Sequence, residues 1–66
     1  MTKDVLTKRE KEILKLIVDG LTDEEIAVKL SVTVHTTNAY RKKLLVKLKA
    51  NNTASLVREA IKQQHV

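Results

Sequence analysis

His35, Asn38, Ala39 and Lys42 lie three and four residues apart, so a helix running through them stacks all four on one face. Amide and ammonium groups such as those of Asn38 and Lys42 hydrogen-bond the edges of bases. Ala39 is small enough for close approach and for contact with a thymine methyl. Lys43, Lys47 and Lys49 follow, and their charge suits phosphate oxygens, a contact that positions a helix on a duplex without reading sequence. Three hydroxyls, on Thr22, Thr33 and Thr36, stand where helices begin. There the unpaired N–H groups and the positive end of the helix dipole favour an anion. Thr22 and Thr33 also fit the plainer role of N-cap, and one residue can cap while its neighbours' N–H groups hold a phosphate.

Other chemistries find little support. His35 and His65 fall on separate helices with no cysteine and no carboxylate pair at ligand spacing, so no metal site is expected. No base is placed beside Ser31 or Ser55, and a chain of 66 residues buries only about 60% of its unfolded surface, which leaves no room for a catalytic pocket. An enzyme is therefore not expected. The single glycine cannot build a dinucleotide or P-loop cradle, and no cofactor is expected. Tyr40 is the only aromatic residue, which argues against stacking single-stranded bases. Absence of cysteine points to a reducing compartment. No stretch approaches 18 apolar residues and the opening Met1-Thr2-Lys3-Asp4 lacks the apolar core of a secretory signal. The expected location is the cytoplasm, on the nucleoid when bound to DNA, with no membrane partner.

The charge is unevenly placed. Residues 1–25 hold five basic and seven acidic side chains, and residues 26–66 hold eight basic and one acidic, so the two parts carry −2 and +7. Such asymmetry suits a fold that turns one face to a polyanion. Apolar residues recur at helical spacing throughout, which predicts an all-α fold of four helices at approximately 8–19, 22–30, 33–49 and 53–63 within one domain over residues 1–66. Thr7 with Glu10, and Thr22 with Glu25, have the spacing of capping boxes. Gly20 stands ready to close the first helix in the left-handed conformation. Thr33 is placed to cap the third helix and Asn52 or Thr53 the fourth, after which the C-terminal residues 62–66 should fray.

Two helices joined by a turn of three or four residues, the second basic and acid-free, have the composition of a DNA-binding helix-turn-helix. At 100° per residue, the third helix places Thr37, Tyr40, Leu44 and Leu48 on one side. His35, Asn38, Ala39, Lys42, Val46 and Lys49 fall on the other. On the fourth helix Leu56 and Ala60 suit a core. Ala54, Val57 and Ile61, with Arg58 beside them, form a stripe that could pair with a second copy or, for Val57 and Ile61, complete the domain's own core.

Several motifs occur together. Leu6-Thr7-Lys8-Arg9-Glu10-Lys11-Glu12-Ile13-Leu14 comes first, Gly20-Leu21-Thr22-Asp23-Glu24-Glu25-Ile26-Ala27 follows, then Val32-Thr33-Val34-His35-Thr36-Thr37, and Lys47-Leu48 comes last. In this order and spacing, across residues 6 to about 61, the chain resembles the LuxR/FixJ/GerE family. The resemblance implies a four-helix, DNA-binding effector domain of a bacterial transcription regulator, often the output of a two-component response regulator. It further implies base reading at Asn38, Ala39 and Lys42 and dimer contacts on the fourth helix. The chain departs from the family at Thr37, where Val is usual, at Asn38 and Tyr40, where Lys and His are frequent, and at Lys49-Ala50, which replaces a Gly-apolar pair. Its base preference therefore does not transfer from its relatives.

The expected function is sequence-specific binding of double-stranded DNA by a homodimer, with a signal supplied by an N-terminal receiver or sensor domain in the full-length chain. A rival reading is a protein-interaction module, in which the fourth helix and the acidic first half bind a receiver domain or RNA polymerase. A membrane-surface helix is weaker, because Leu44 and Leu48 are needed by the core.

Overall fold

Side-chain caps set where each helix of this computed structural model begins; the structure describes residues 6–63. The Thr7 N–H donates to Glu10 Oε1 at 2.8 Å and the Glu10 N–H donates to Thr7 Oγ1 at 3.1 Å, a closed capping box that opens α1 (Lys8–Val18). Thr22 and Glu25 repeat the pair at the same distances and open α2 (Asp23–Leu30). Thr33 accepts the Thr36 N–H at 3.0 Å ahead of α3 (Val34–Lys47), and Asn52 Oδ1 accepts the Ser55 N–H at 2.8 Å ahead of α4 (Thr53–Lys62). Each pairing satisfies donors that the first turn of a helix leaves unpartnered. Among the described residues there is no strand, and the fold is all-α.

Three of the helices end in one way. The N–H groups of Leu21, Val32 and Ala50 donate to the carbonyls of Leu16, Ala27 and Leu45, each five residues back, at 3.1, 3.0 and 2.8 Å. That bond requires the residue before each donor to take a left-handed conformation. Gly20, Ser31 and Lys49 do so, with φ of 95°, 58° and 57°. The expected end of the third helix at Lys49 is thus corrected. Helical structure stops at Lys47, Leu48 is the cap, and Lys49 turns the chain so that α4 can pack back. The expected fraying from residue 62 is corrected at Lys62, which is still helical with Gln63 as its cap; residues 64–66, His65 among them, lie outside the described residues.

The core gathers Leu6, Ile13, Leu14, Ile17, Ile26, Leu44, Leu48, Leu56 and Ala60, every one below 5% exposed. Burying one such side chain contributes about 1.5–3 kcal/mol. That exceeds any propensity difference along α3, so Leu44 and Leu48 decide how α3 is rotated. Thr37 joins them at 0% exposure, its hydroxyl donating to the Thr33 carbonyl at 3.3 Å. A threonine thereby fills a site of valine shape with its polar atom satisfied by the helix's own backbone.

Candidate nucleic-acid interface

With Leu44 and Thr37 turned inward, the opposite face of α3 is open. His35, Ala39, Lys42, Lys43 and Val46 are exposed, Val46 at 77% despite being apolar. His35, Ala39, Lys42 and Val46 are spaced four, three and four apart, one straight stripe along the helix. No acid lies on α3, and its first turn is free of carboxylates, whereas the first turn of α2 carries Asp23, Glu24 and Glu25. The positive potential at a helix N-terminus is therefore cancelled locally at α2 and left standing at α3.

Asn38 differs from its neighbours on this face. It is half-buried, and its Nδ2 donates to Asp23 Oδ2 at 3.4 Å. The other oxygen of Asp23 is taken by Arg41, through Nε at 2.8 Å and Nη2 at 2.6 Å, and Arg41 Nη1 donates to Thr53 Oγ1 at 2.6 Å. One guanidinium thus joins α2, α3 and the start of α4. Sequence reasoning missed Arg41 as a functional residue; the available signal was its type, a planar fork suited to two partners among point-charge lysines.

Lys47, expected at a phosphate, has its ammonium on Glu10 instead, at 2.8 Å from Oε1 and 3.1 Å from Oε2. The Glu10 side chain is only 4% exposed and that of Lys47 31%. The Lys47 hydrogen bond, aided by the Thr7 backbone N–H, holds the Glu10 carboxyl below its ordinary value of 4.5. A carboxylate this buried needs a cation, and Lys47 supplies it.

The remaining candidates divide clearly. Lys43 places Nζ 5.5 Å from the centre of the Tyr40 ring, a cation–π approach that leaves its charge at the surface. Lys49 is exposed beyond the end of α3. Thr33 Oγ1 both accepts the Thr36 N–H and donates to Thr36 Oγ1 at 2.9 Å, so its proton is used within the first turn. The Thr36 and Thr22 hydroxyls act there as acceptors, and their protons are not used in those bonds. On α4, Ala54 and Arg58 are exposed and Ile61 is 58% exposed, while Val57 is half-buried against the core. Among the described residues no three His, Cys, Asp or Glu side chains gather to hold a metal, and no helix is long and apolar enough to cross a membrane.

Comparison with known proteins finds relatives over most of the chain. Residues 4–60 match the family described as bacterial regulatory proteins, luxR family. The chain is 47% identical over 58 residues to the transcriptional regulatory protein MctR of Rhizobium johnstonii, covering 88% of this chain and 27% of that protein. It is 42% identical over 60 residues to the oxygen regulatory protein NreC of Staphylococcus aureus, covering 91% and 28%. The chain thus spans little more than a quarter of the length of these relatives. Among solved structures, the response regulator ChrA of a heme-sensing two-component system superposes with a TM-score of 0.92 at 26% identity, covering all of this chain and 33% of that one. The Vibrio cholera VqmA–ligand–DNA complex gives 0.88 at 29% identity, covering 98% and 28%. On its motifs, its four helices and these relatives, the chain belongs to the luxR family of bacterial regulatory proteins, DNA-binding regulators of transcription.

Proposed function

We propose that residues 1–66 act as one DNA-binding unit that lays α3 in the major groove of a duplex. The observation that carries this reading is the exposed, acid-free stripe His35, Ala39, Lys42 and Val46, with the inward side of α3 consumed by the core. A major groove about 12 Å wide admits one helix. His35, Asn38, Ala39 and Lys42 face base edges. Lys43, Lys49 and the Thr36 hydroxyl reach phosphates, with the free N–H groups at the start of α3 as an anion seat. Thr22 and Thr33 serve first as caps, and the acids beside Thr22 make its helix end the poorer seat for a phosphate. Lys47 acts through Glu10, setting how α3 lies, rather than by touching DNA.

A second copy joins through the exposed part of α4, Ala54, Arg58 and Ile61, with Val57 shared between that contact and the core. Two copies read paired half-sites, and linkage multiplies their affinity without new contacts. In the whole regulator the input comes from a receiver or ligand-sensing domain, and control of this unit consists of making that pairing available. The proposed setting is the cytoplasm.

The test is selection from a pool of randomised duplex DNA, repeated for Asn38→Ala with Lys42→Ala and at two salt concentrations. The expected result is an enriched, repeated half-site for the wild type, lost in the double variant. Each good base contact contributes about 1–3 kcal/mol of discrimination, and each phosphate lysine removed lowers the salt slope by about one. Weak, unselective binding unchanged in the variant would overturn groove reading by α3. It would favour instead a protein-docking role for the outer face of α2, where Val28 is 81% exposed beside Glu24, Glu25 and Lys29.

A further inference from the structure

We propose that Asp23 is a positioning residue for base reading: from the first turn of α2 it holds the Asn38 amide in one orientation and so sets which base Asn38 prefers. The inference rests on α3 reading bases through Asn38. A free asparagine amide turns over readily about its last torsion, exchanging the donor and acceptor ends that a base would meet. Here that exchange is biased. The two bonds that Arg41 makes to Asp23 both go to Oδ1, which leaves Oδ2 to take the Asn38 Nδ2 at 3.4 Å. Turning the amide over would set its carbonyl oxygen against a carboxylate oxygen, two acceptors with no proton between them. At 3.4 Å the bond is long, so it steers the amide without removing it from the surface.

The orientation has a chemical consequence. Of the two protons on Nδ2, one shares an edge with Oδ1, and a bond of the other to Asp23 leaves that edge free. That edge, one donor beside one acceptor, is the complement of adenine N7 and N6 in the major groove. A flipped amide would offer it in reverse order. Arg41 makes the arrangement compatible with DNA, because it neutralises a carboxylate that would otherwise repel phosphates, and through Thr53 it ties the same carboxylate to the start of α4. Side-chain exposures of 15% for Arg41 and 24% for Asp23 keep the relay just beneath the surface.

The experiment compares wild type, Asp23→Ala, Asn38→Ala and the double variant against the selected duplex with each of the four bases at the position whose preference Asn38→Ala removes. The expected result is adenine preferred by the wild type, and a preference reduced roughly tenfold by Asp23→Ala, with affinity for unrelated duplex not reduced. In the Asn38→Ala background Asp23→Ala should change nothing further. Full preference retained by Asp23→Ala while Asn38→Ala loses it would overturn the positioning role and leave base reading intact. No loss in Asn38→Ala would overturn the parent reading and this one with it. Thermal unfolding checks that each variant folds. On the unmodified chain, nitrogen relaxation should show the Asn38 side-chain amide more restricted than that of the exposed Asn51. A freely turning amide would overturn the proposal without any substitution.

Discussion

α3 is tied down by two ion pairs built in opposite ways. Near its end the buried partner is the acid, Glu10 at 4% exposure, and Lys47 reaches in from the surface. At its middle the more buried partner is the cation, Arg41 at 15% against 24% for Asp23. Glu10 also closes the capping box of α1, so one carboxylate sets the start of one helix and the end of another. Arg41 instead spreads a fork over α2 and α4. The difference separates a contact whose loss strands a charge in the core from one whose loss leaves hydrogen bonds unmade. It also bears on function. Two of the four cations on α3 are neutralised from within, so Lys42 and Lys43 carry the helix's outward charge.

Breaking the first pair should have the largest effect. Lys47→Met leaves Glu10 charged and alone, and should cost about 2–4 kcal/mol in urea unfolding, the lower part of the range reflecting the third of Lys47 that water still reaches. Acid should act on the same contact. Because the folded-state pKa of Glu10 is depressed, its contribution is complete above 4.5 and is lost as pH falls through the lower folded value. Stability measured from pH 5 downward should therefore fall less for Glu10→Gln than for the wild type. Equal slopes would show that Glu10 and Lys47 are not coupled.

The second pair should be weaker and more specific in geometry. Arg41→Ala is expected to cost about 1–2 kcal/mol, and Arg41→Lys to recover only part of it, since one ammonium cannot span Asp23 and Thr53 together. Full recovery by lysine, read from the same unfolding curves, would mean that charge alone matters there. The smallest effects concern the three left-handed turns. A Cβ at Gly20 would meet no atom within 4 Å, so Gly20→Ala tests the backbone alone. At φ of 95° it should cost about 1 kcal/mol. Ser31 and Lys49, near 58°, occupy the small well that L residues tolerate, and Lys49→Gly should stabilise by about 0.5 kcal/mol. Calorimetry of the two variants would show the opposite signs.

Much of this molecule is local in origin, and that part is legible in the chain. A threonine three residues before a glutamate suffices to place Thr7 and Thr22, because cap and partner share one turn. The stripe His35, Ala39, Lys42 and Val46 follows from helical spacing alone. Two features resisted. Ser31 and Lys49 turn left-handed without glycine, since the requirement comes from the bond to a carbonyl five residues back and not from the residue's own preference. Asn38 and Lys47, expected on the free surface of α3, each meet a carboxylate of another helix, Asp23 and Glu10, which helical spacing within α3 cannot show.

Sequence by itself determined the four helices, their caps and the acid-free character of the third, because each depends on residues within a turn or two of one another. Tertiary structure decided which cations are available to a ligand. Glu10 and Lys47 are 37 positions apart and Asp23 and Arg41 are 18 apart, so their neutralisation exists only once α1, α2 and α3 have packed around Leu14 and Leu44. A lysine looks the same in a sequence whether it faces a phosphate or a buried carboxylate, and only the desolvation of the acid it meets distinguishes the two.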